Sequence, residues 1–268
     1  MHRNTIKKLT LAVLAPLFAV SAASAATLYS ETSNGANPAL TVTGLTPNGE
    51  AYVAQGNTAT PASTVILDNV VVPTYPAPGL GGLNITKVTV NDLQHAGAPA
   101  TSYQLYYSTI ASDRGNATPP VINAPVAVGS PSAVTNNGTA GTVIKPVVFG
   151  DGVNTLFTLT DAQLNFTDPA VTVGAEFYLG FQSSTTGTDQ GLRLAKPDTG
   201  YENPNEYFEY NTSTNGQLIF SFFQPTDANS TAGIWVTVEG NVIPEPATLG
   251  LAAMGGLMLL ARRPSKKA

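Results

Sequence analysis

The chain of 268 residues contains no cysteine, which excludes disulfides, thiolate nucleophiles, cysteine-ligated zinc and iron–sulfur clusters. Its formal net charge of −5 conceals an asymmetry, because residues 26–243 hold only five Lys and Arg against 16 Asp and Glu and so carry a charge of −11. An acidic body of this kind is not expected to bind nucleic acid or anionic lipid surfaces, which attract basic patches.

The start of the chain has the three parts of a secretory signal peptide. Basic residues precede an apolar stretch at residues 9–20, and Ala23 and Ala25 place small residues at the −3 and −1 positions of a cleavage site. We expect residues 1–25 to form a signal-peptide helix that signal peptidase removes between Ala25 and Ala26. A permanent membrane anchor is the alternative, but it needs about 20 apolar residues.

Residues 26–241 are predicted to be an all-β body. Within residues 102–108, Tyr103, Leu105 and Tyr107 share one face, and such period-two alternation is typical of a strand with one buried face. The strand candidates are residues 40–43, 64–72, 84–90, 102–108, 142–149, 154–160, 175–182, 217–223 and 234–239. We expect one antiparallel β-sandwich or jelly-roll-like domain, with two small sandwiches as the alternative.

Two features of the body bear on its topology. Asp151 and Gly152 stand between two apolar runs, a pattern that predicts a hairpin turn. Residues 115–141 lack a clear pattern and are expected to form a large loop or a domain junction. The body shows no fixed-period repeat, which argues against a solenoid or propeller.

Residues 198–210 hold the densest group of functional side chains, with four carboxylates, two asparagines and three tyrosines. Glycosidases use a pair of carboxylates, but Glu206 and Glu209 would point to opposite faces of a strand. We therefore predict no catalytic residues and no enzymatic activity. The alternative is a secreted carbohydrate-active hydrolase with an unrecognised carboxylate site.

Three aromatic residues are candidates for ligand binding. Tyr201 and Tyr207 lie in the acidic stretch, and Trp235 is the only tryptophan of the chain. Aromatic faces can stack on sugar rings while neighbouring polar groups bind hydroxyls. The competing interpretation is that all three residues pack against the body of the domain.

The sequence predicts no cofactor and no metal site. The body has a single histidine, His95, so a site built from several histidines is excluded. Loop residues such as Asp151, Asn154 and Asp198 carry the oxygen ligands that calcium prefers, but they form no EF-hand pattern. Asp and Asn are also common in turns for local reasons.

Residues 242–268 combine three features in order. Pro244, Glu245 and Pro246 form a short extended strip, because residues that precede a proline avoid the helical region. An uncharged apolar stretch follows at residues 247–261 and ends in a basic cluster. This stretch is expected to be a transmembrane helix that leaves the basic end in the cytoplasm and the body outside the inner membrane.

This tail resembles the PEP-CTERM sorting signal of exosortase substrates. The resemblance implies that an exosortase-like enzyme recognises Pro244, Glu245 and Pro246 and cleaves near them, and that the bacterium makes exopolysaccharide. The leading hypothesis is an exported, non-enzymatic protein of the cell envelope or extracellular matrix of a biofilm. It would be anchored in the inner membrane before processing, and would be adhesive or associated with exopolysaccharide.

Overall fold

The computed structural model describes residues 25–32, 52–53, 64–75, 77–112, 121–138, 141–167, 174–185, 190–195, 198, 200, 207–211, 216–221 and 233–244. The two expected terminal helices and the strand candidate at residues 40–43 lie outside these ranges. Within them, no helix has both the length and the apolar character that crossing a membrane requires.

The described residues form sixteen strands and one turn of 3-10 helix at Asp161–Gln163. In chain order the strands are β1 (Ala26–Glu31), β2 (Tyr52–Val53), β3 (Thr64–Val72), β4 (Gly82–Gln94), β5 (Thr101–Ser108), β6 (Ile110–Ser112), β7 (Val121–Ile122), β8 (Val126–Val134), β9 (Val143–Gly150), β10 (Phe157–Thr160), β11 (Ala175–Ser183), β12 (Gln190–Ala195), β13 (Tyr207–Asn211), β14 (Gly216–Ser221), β15 (Gly233–Ile234) and β16 (Val236–Ile243).

The first sheet is built around β4, which is 13 residues long. β16 pairs with Gly82 to Val90 of β4, and β12 pairs with the last three residues of β4. On the other edge of β4 lie β9 and β10, while β1 adds to the far side of β16. β2 and β15 extend the sheet from β12, and every pairing is antiparallel.

The second sheet has the strand order β14-β13-β3-β11-β5-β8 and is also antiparallel throughout. β6 and β7 form a separate two-stranded hairpin. Because the second sheet contains the predicted strands 64–72, 102–108 and 175–182 as β3, β5 and β11, its centre follows the sequence pattern closely.

The two sheets pack face to face over one hydrophobic core, so the fold is the expected antiparallel β-sandwich. The inward face of β11 contributes Phe177 and Phe181, and β5 contributes Leu105, all at most 1% exposed. From the opposite sheet, Val88 and Val238 complete the same cluster. The inward face predicted for residues 102–108 is thereby confirmed in β5.

The outer face of the second sheet is buried as well, which the sequence did not indicate. All nine residues of β3 are buried. Val65, Leu67, Tyr178 and Tyr210 form a second cluster with Ile122 of the small hairpin. The expectation of one buried face is therefore wrong for β3 and β11, because a further layer of chain covers their second face.

The predicted hairpin turn at Asp151 and Gly152 is wrong in its topology. β9 and β10 do not pair with each other; both pair with the same edge of β4. The chain leaves this edge after Gly150 and returns at Leu156, whose N–H donates to the carbonyl of Ile85 at 2.8 Å. The apolar runs on both sides of the turn are thus two parts of one interrupted strand.

The expectation of a large loop or domain junction at residues 115–141 is also wrong. This stretch contains β7 and the whole of β8, the edge strand of the second sheet. The pattern of β8 is obscured because Gly129, Ser130 and Pro131 interrupt its apolar residues at a bulge. A bulge adds residues to one strand only and so breaks the period of two.

Gly150 offers a test of the interrupted strand. Its φ of +76° is one that only glycine adopts readily, and a Cβ there would collide with the carbonyl oxygen of Thr86. We predict that Gly150→Ala lowers the free energy of unfolding by about 2 kcal/mol or more. Gly138→Ala is the matched control, since no atom lies within 4 Å of the added Cβ. Equal urea midpoints for the two variants would contradict the prediction.

Candidate functional site

The two ends of the sandwich lie side by side in the first sheet. β1 begins at Ala26, directly after the predicted cleavage position, and Ala26 lies opposite Gly240 of β16. β16 ends at Ile243, whose partner is Gly82 at the start of β4. The start of β1 and the exit of β16 are therefore at the same end of this sheet.

The sorting strip, Pro244, Glu245 and Pro246, follows the end of β16 without a spacer. Pro244 is exposed and is the first residue after β16. Proline lacks an N–H, so it cannot donate to the sheet and the strand stops there. Glu245 and Pro246 lie outside the described residues. In sequence, only these three residues separate β16 from the apolar stretch at residues 247–261.

The structure describes two of the three predicted aromatic ligand residues. Tyr201 lies outside the described residues, and Tyr207 is in β13 of the second sheet, opposite Asp68 in the register. Trp235 is in the first sheet, half-buried between β15 and β16. Its backbone N–H donates to the carbonyl of Arg193 at 2.8 Å. Their role in ligand binding stays a prediction.

The predicted loop ligands that are described have structural partners. Asp198 accepts hydrogen bonds from the hydroxyl groups of Ser30 and Thr32 and so fixes its loop to the end of β1. Asp151 accepts the backbone N–H groups of Val153 and Asn154, which lowers the pKa of its carboxyl. Among the described residues, no three His, Asp or Glu side chains are grouped to hold a metal ion.

An open groove of about 280 Å³ lies on the outer face of the second sheet. Its lining comes from β5, the β8 bulge and the end of β11. The principal lining residues are Ser102, Gln104, Tyr106, Pro131, Gln182 and Ser184. All of them are uncharged. The polar face of β5 was visible in the alternation of residues 102–108, but the bulge that opens the groove beside it was not.

The β8 bulge creates the space, and Gln104 fixes it. Tyr103 pairs with Ser132 and Leu105 pairs with Val128, so three residues of β8 lie opposite Gln104 alone. The Gln104 side-chain amide donates to the carbonyl of Val128 at 2.8 Å and to that of Leu105 at 2.9 Å. The side chain thus replaces hydrogen bonds that the bulge removes from the strand ladder.

A second set of hydrogen bonds fixes the opposite side of the groove. The Tyr106 hydroxyl donates to Oε1 of Gln182 at 2.7 Å, and burial raises the pKa of Tyr106. The Ser102 N–H donates to the Ser184 hydroxyl at 2.9 Å, and the Ser184 N–H donates to the Ser102 carbonyl at 2.8 Å. The groove is therefore held in shape without a ligand.

Buried carboxylates occur between the sheets, away from the groove. Glu31 accepts the N–H of Gly233 at 2.7 Å, and Asp68 accepts the N–H of Ile234, so the two side chains together hold β15. Desolvation raises the pKa of Asp68 to about 7. Both residues are at most 2% exposed. Their geometry is that of backbone-anchoring groups.

Asp92 is another buried acid of the interior. It accepts the Tyr103 hydroxyl at 2.7 Å and the Gln94 side-chain amide at 2.8 Å. Desolvation raises the pKa of Asp92 to about 6, although its hydrogen bonds and the nearby charge of Lys145 act in the opposite direction. The group joins β4 to β5 across the interior of the sandwich.

The comparisons with known proteins concern the tail alone. Residues 242–267 match the family model of the PEP-CTERM protein-sorting motif. No curated protein and no solved structure matches the chain. The match confirms the resemblance in the tail, and it implies export, membrane anchoring before processing, and processing by an exosortase-like enzyme.

Asp92 makes the stability of the protein dependent on pH. Between its ordinary pKa of 3.8 and about 6, the folded state binds more protons than the unfolded state, so stability falls as the pH rises. Asp92→Asn removes the titrating carboxyl and with it this pH dependence of stability. The new side-chain amide can donate to Oε1 of Gln94, which has no hydrogen-bond partner among the described residues. We predict that the stability of this variant relative to the native protein increases by about 2–3 kcal/mol from pH 4 to pH 7.

Urea denaturation of the exported protein at a series of pH values measures this difference. Subtracting the two curves cancels the contribution of Asp68, whose raised pKa acts in the same direction up to about pH 7. Parallel curves for the native protein and Asp92→Asn would contradict the prediction.

Proposed function

We propose that this protein is a non-enzymatic module of the cell envelope or extracellular matrix, associated with exopolysaccharide or adhesive in role. The observation that carries the proposal is the sorting motif at residues 242–267, attached directly to the last strand of a β-sandwich. A folded acidic body with such a tail is suited to be held at the outer side of the inner membrane and then released.

The position of the two ends supports this arrangement. Because an extended residue spans at most about 3.6 Å, the four steps from Ile243 to residue 247 keep the end of β16 within roughly 14 Å of the start of the apolar stretch. The start of β1 lies at the same end of the first sheet. The groove, in contrast, lies on the outer face of the second sheet, which makes it available to the surroundings of the anchored protein.

The distribution of carboxylates supports a non-enzymatic role. A glycoside hydrolase needs two carboxyl groups that flank the substrate. The groove has none in its lining, and the acids with raised pKa, Asp68 and Asp92, lie in the interior where they bind backbone and side-chain groups. The alternative of a carbohydrate-active hydrolase therefore has no support in the described part of the chain.

Processing of the tail tests the sorting half of the proposal. In a host with an exosortase, mass spectrometry of the protein recovered from the envelope or medium is expected to show loss of residues 262–268. Glu245→Ala is expected to retain them and to remain in the membrane fraction. The same host without its exosortase provides the control, and loss of the tail there would contradict the proposal.

The lack of a spacer gives a further prediction. Pairing of β16 extends to Ile243, so a protease that acts at the strip must work directly against a folded edge. Insertion of a short Gly-Ser spacer between Ile243 and Pro244 is expected to increase the rate of tail removal in a pulse-chase experiment. The same spacer between Val153 and Asn154, in the exposed loop before β10, is the control. Slower or unchanged processing of the first variant would oppose this view.

A further inference from the structure

The groove on the second sheet is a cavity that the sorting motif does not explain. Its position depends on a strand bulge, and bulges recur beside binding sites because they redirect side chains and open the strand ladder. Here the bulge at Gly129, Ser130 and Pro131 separates β8 from β5. The Gln104 side chain bridges this gap with a hydrogen bond to the carbonyl of Val128.

The polar groups of the groove can exchange hydrogen bonds with hydroxyl groups. Among the described residues, neither Oε1 of Gln104 nor the Ser102 hydroxyl has a hydrogen-bond partner, so the groove offers an acceptor and a group that both donates and accepts. The Tyr106 oxygen donates to Gln182 and keeps its capacity to accept. These neutral groups suit a ligand that is rich in hydroxyls.

The apolar part of the lining suits the same ligand. Tyr106 and Pro131 line the groove along with the polar groups. A pyranose ring presents C–H groups on its faces and hydroxyls on its rim, and so can contact an aromatic or proline ring while its rim is hydrogen-bonded. The volume of about 280 Å³ is just below the range of about 300–1,000 Å³ that is usual for drug-sized ligands, so the groove suits a short segment of one or two sugar rings.

Charge selects among polysaccharides. The principal lining residues are all uncharged, and the body between residues 26 and 243 has a charge of −11. An acidic glycan would be repelled by this field without meeting a cation in the groove. A neutral glycan is not repelled.

We infer that the groove between the β8 bulge and the end of β11 binds a short segment of a neutral polysaccharide. This inference rests on the proposed envelope function for its biological setting, and it adds the site and the ligand class. Gln104 and Ser102 contact the sugar hydroxyls, and Tyr106 and Pro131 contact a sugar face. Trp235, in the other sheet, takes no part.

Binding to oligosaccharides tests the inference. The processed protein from the exporting host is titrated by calorimetry with cello-, malto- and chito-oligosaccharides, and with oligogalacturonates as the acidic comparison. Binding to at least one neutral series and none to the acidic series is expected. Since Trp235 is the only tryptophan, its fluorescence should stay unchanged at saturation.

Two variants locate the site. Ser184→Trp places bulk in the groove from an exposed position, and Gln182→Ala removes an amide from its lining. Each is expected to raise the Kd about tenfold or more. Thr158→Trp, exposed on β10 of the other sheet, is the control for bulk and should leave the Kd within about twofold. Thermal melts establish that each variant is folded.

Several results would overturn the inference. They are binding of no neutral series, binding of the acidic series, unchanged affinity in both groove variants, and loss of binding in Trp235→Ala alone. Capture of an extended peptide in place of every glycan would likewise count against it. If the tail is removed in the cell but no glycan binds, the groove inference fails and the proposed sorting function stands. If the tail stays intact but a neutral glycan binds, the sorting function fails and the groove inference stands.

Discussion

The backbone pairing of β16 with both β1 and β4 is the constraint on which the arrangement of this protein depends. It fixes the last strand in the middle of the first sheet, between the first strand and the longest one. Because β16 is held on both edges, the chain leaves the sandwich at one defined position. The location of the sorting strip relative to the domain is therefore set by sheet topology.

The sequence predicted the centre of the fold better than its edges. Strands β3, β5 and β11 coincide with strand candidates of the sequence, and the inward residues of all three face a continuous core. The edge strand β8 was missed because three bulge residues interrupt its pattern, and β9 and β10 were taken for a hairpin because the pairing partner of a strand is not encoded locally. The double burial of β3 depends on a hairpin far along the chain.

The same limit applies to the candidate site. The tail could be identified from sequence since its three parts are contiguous. The groove could not, because Gln104 and Gln182 become neighbours only when β5 pairs with β11. Trp235 and Tyr207 were candidate ligand-binding residues because they are aromatic, and the structure places them in different sheets. A polar side chain beside a bulge carries no distinctive signal until the register of its strand is known.

The order of the strands also has a consequence for export. A chain that is threaded across the membrane from its N-terminus delivers β1 first and β16 last, yet these two are partners. The interior therefore cannot close until nearly the whole polypeptide has crossed, and until then β1 and β4 present unpaired edges on the outer side of the membrane. Only three residues separate β16 from the apolar stretch, so this stretch reaches the bilayer just as the last strand has crossed, and it holds the domain at the outer surface while the sandwich closes.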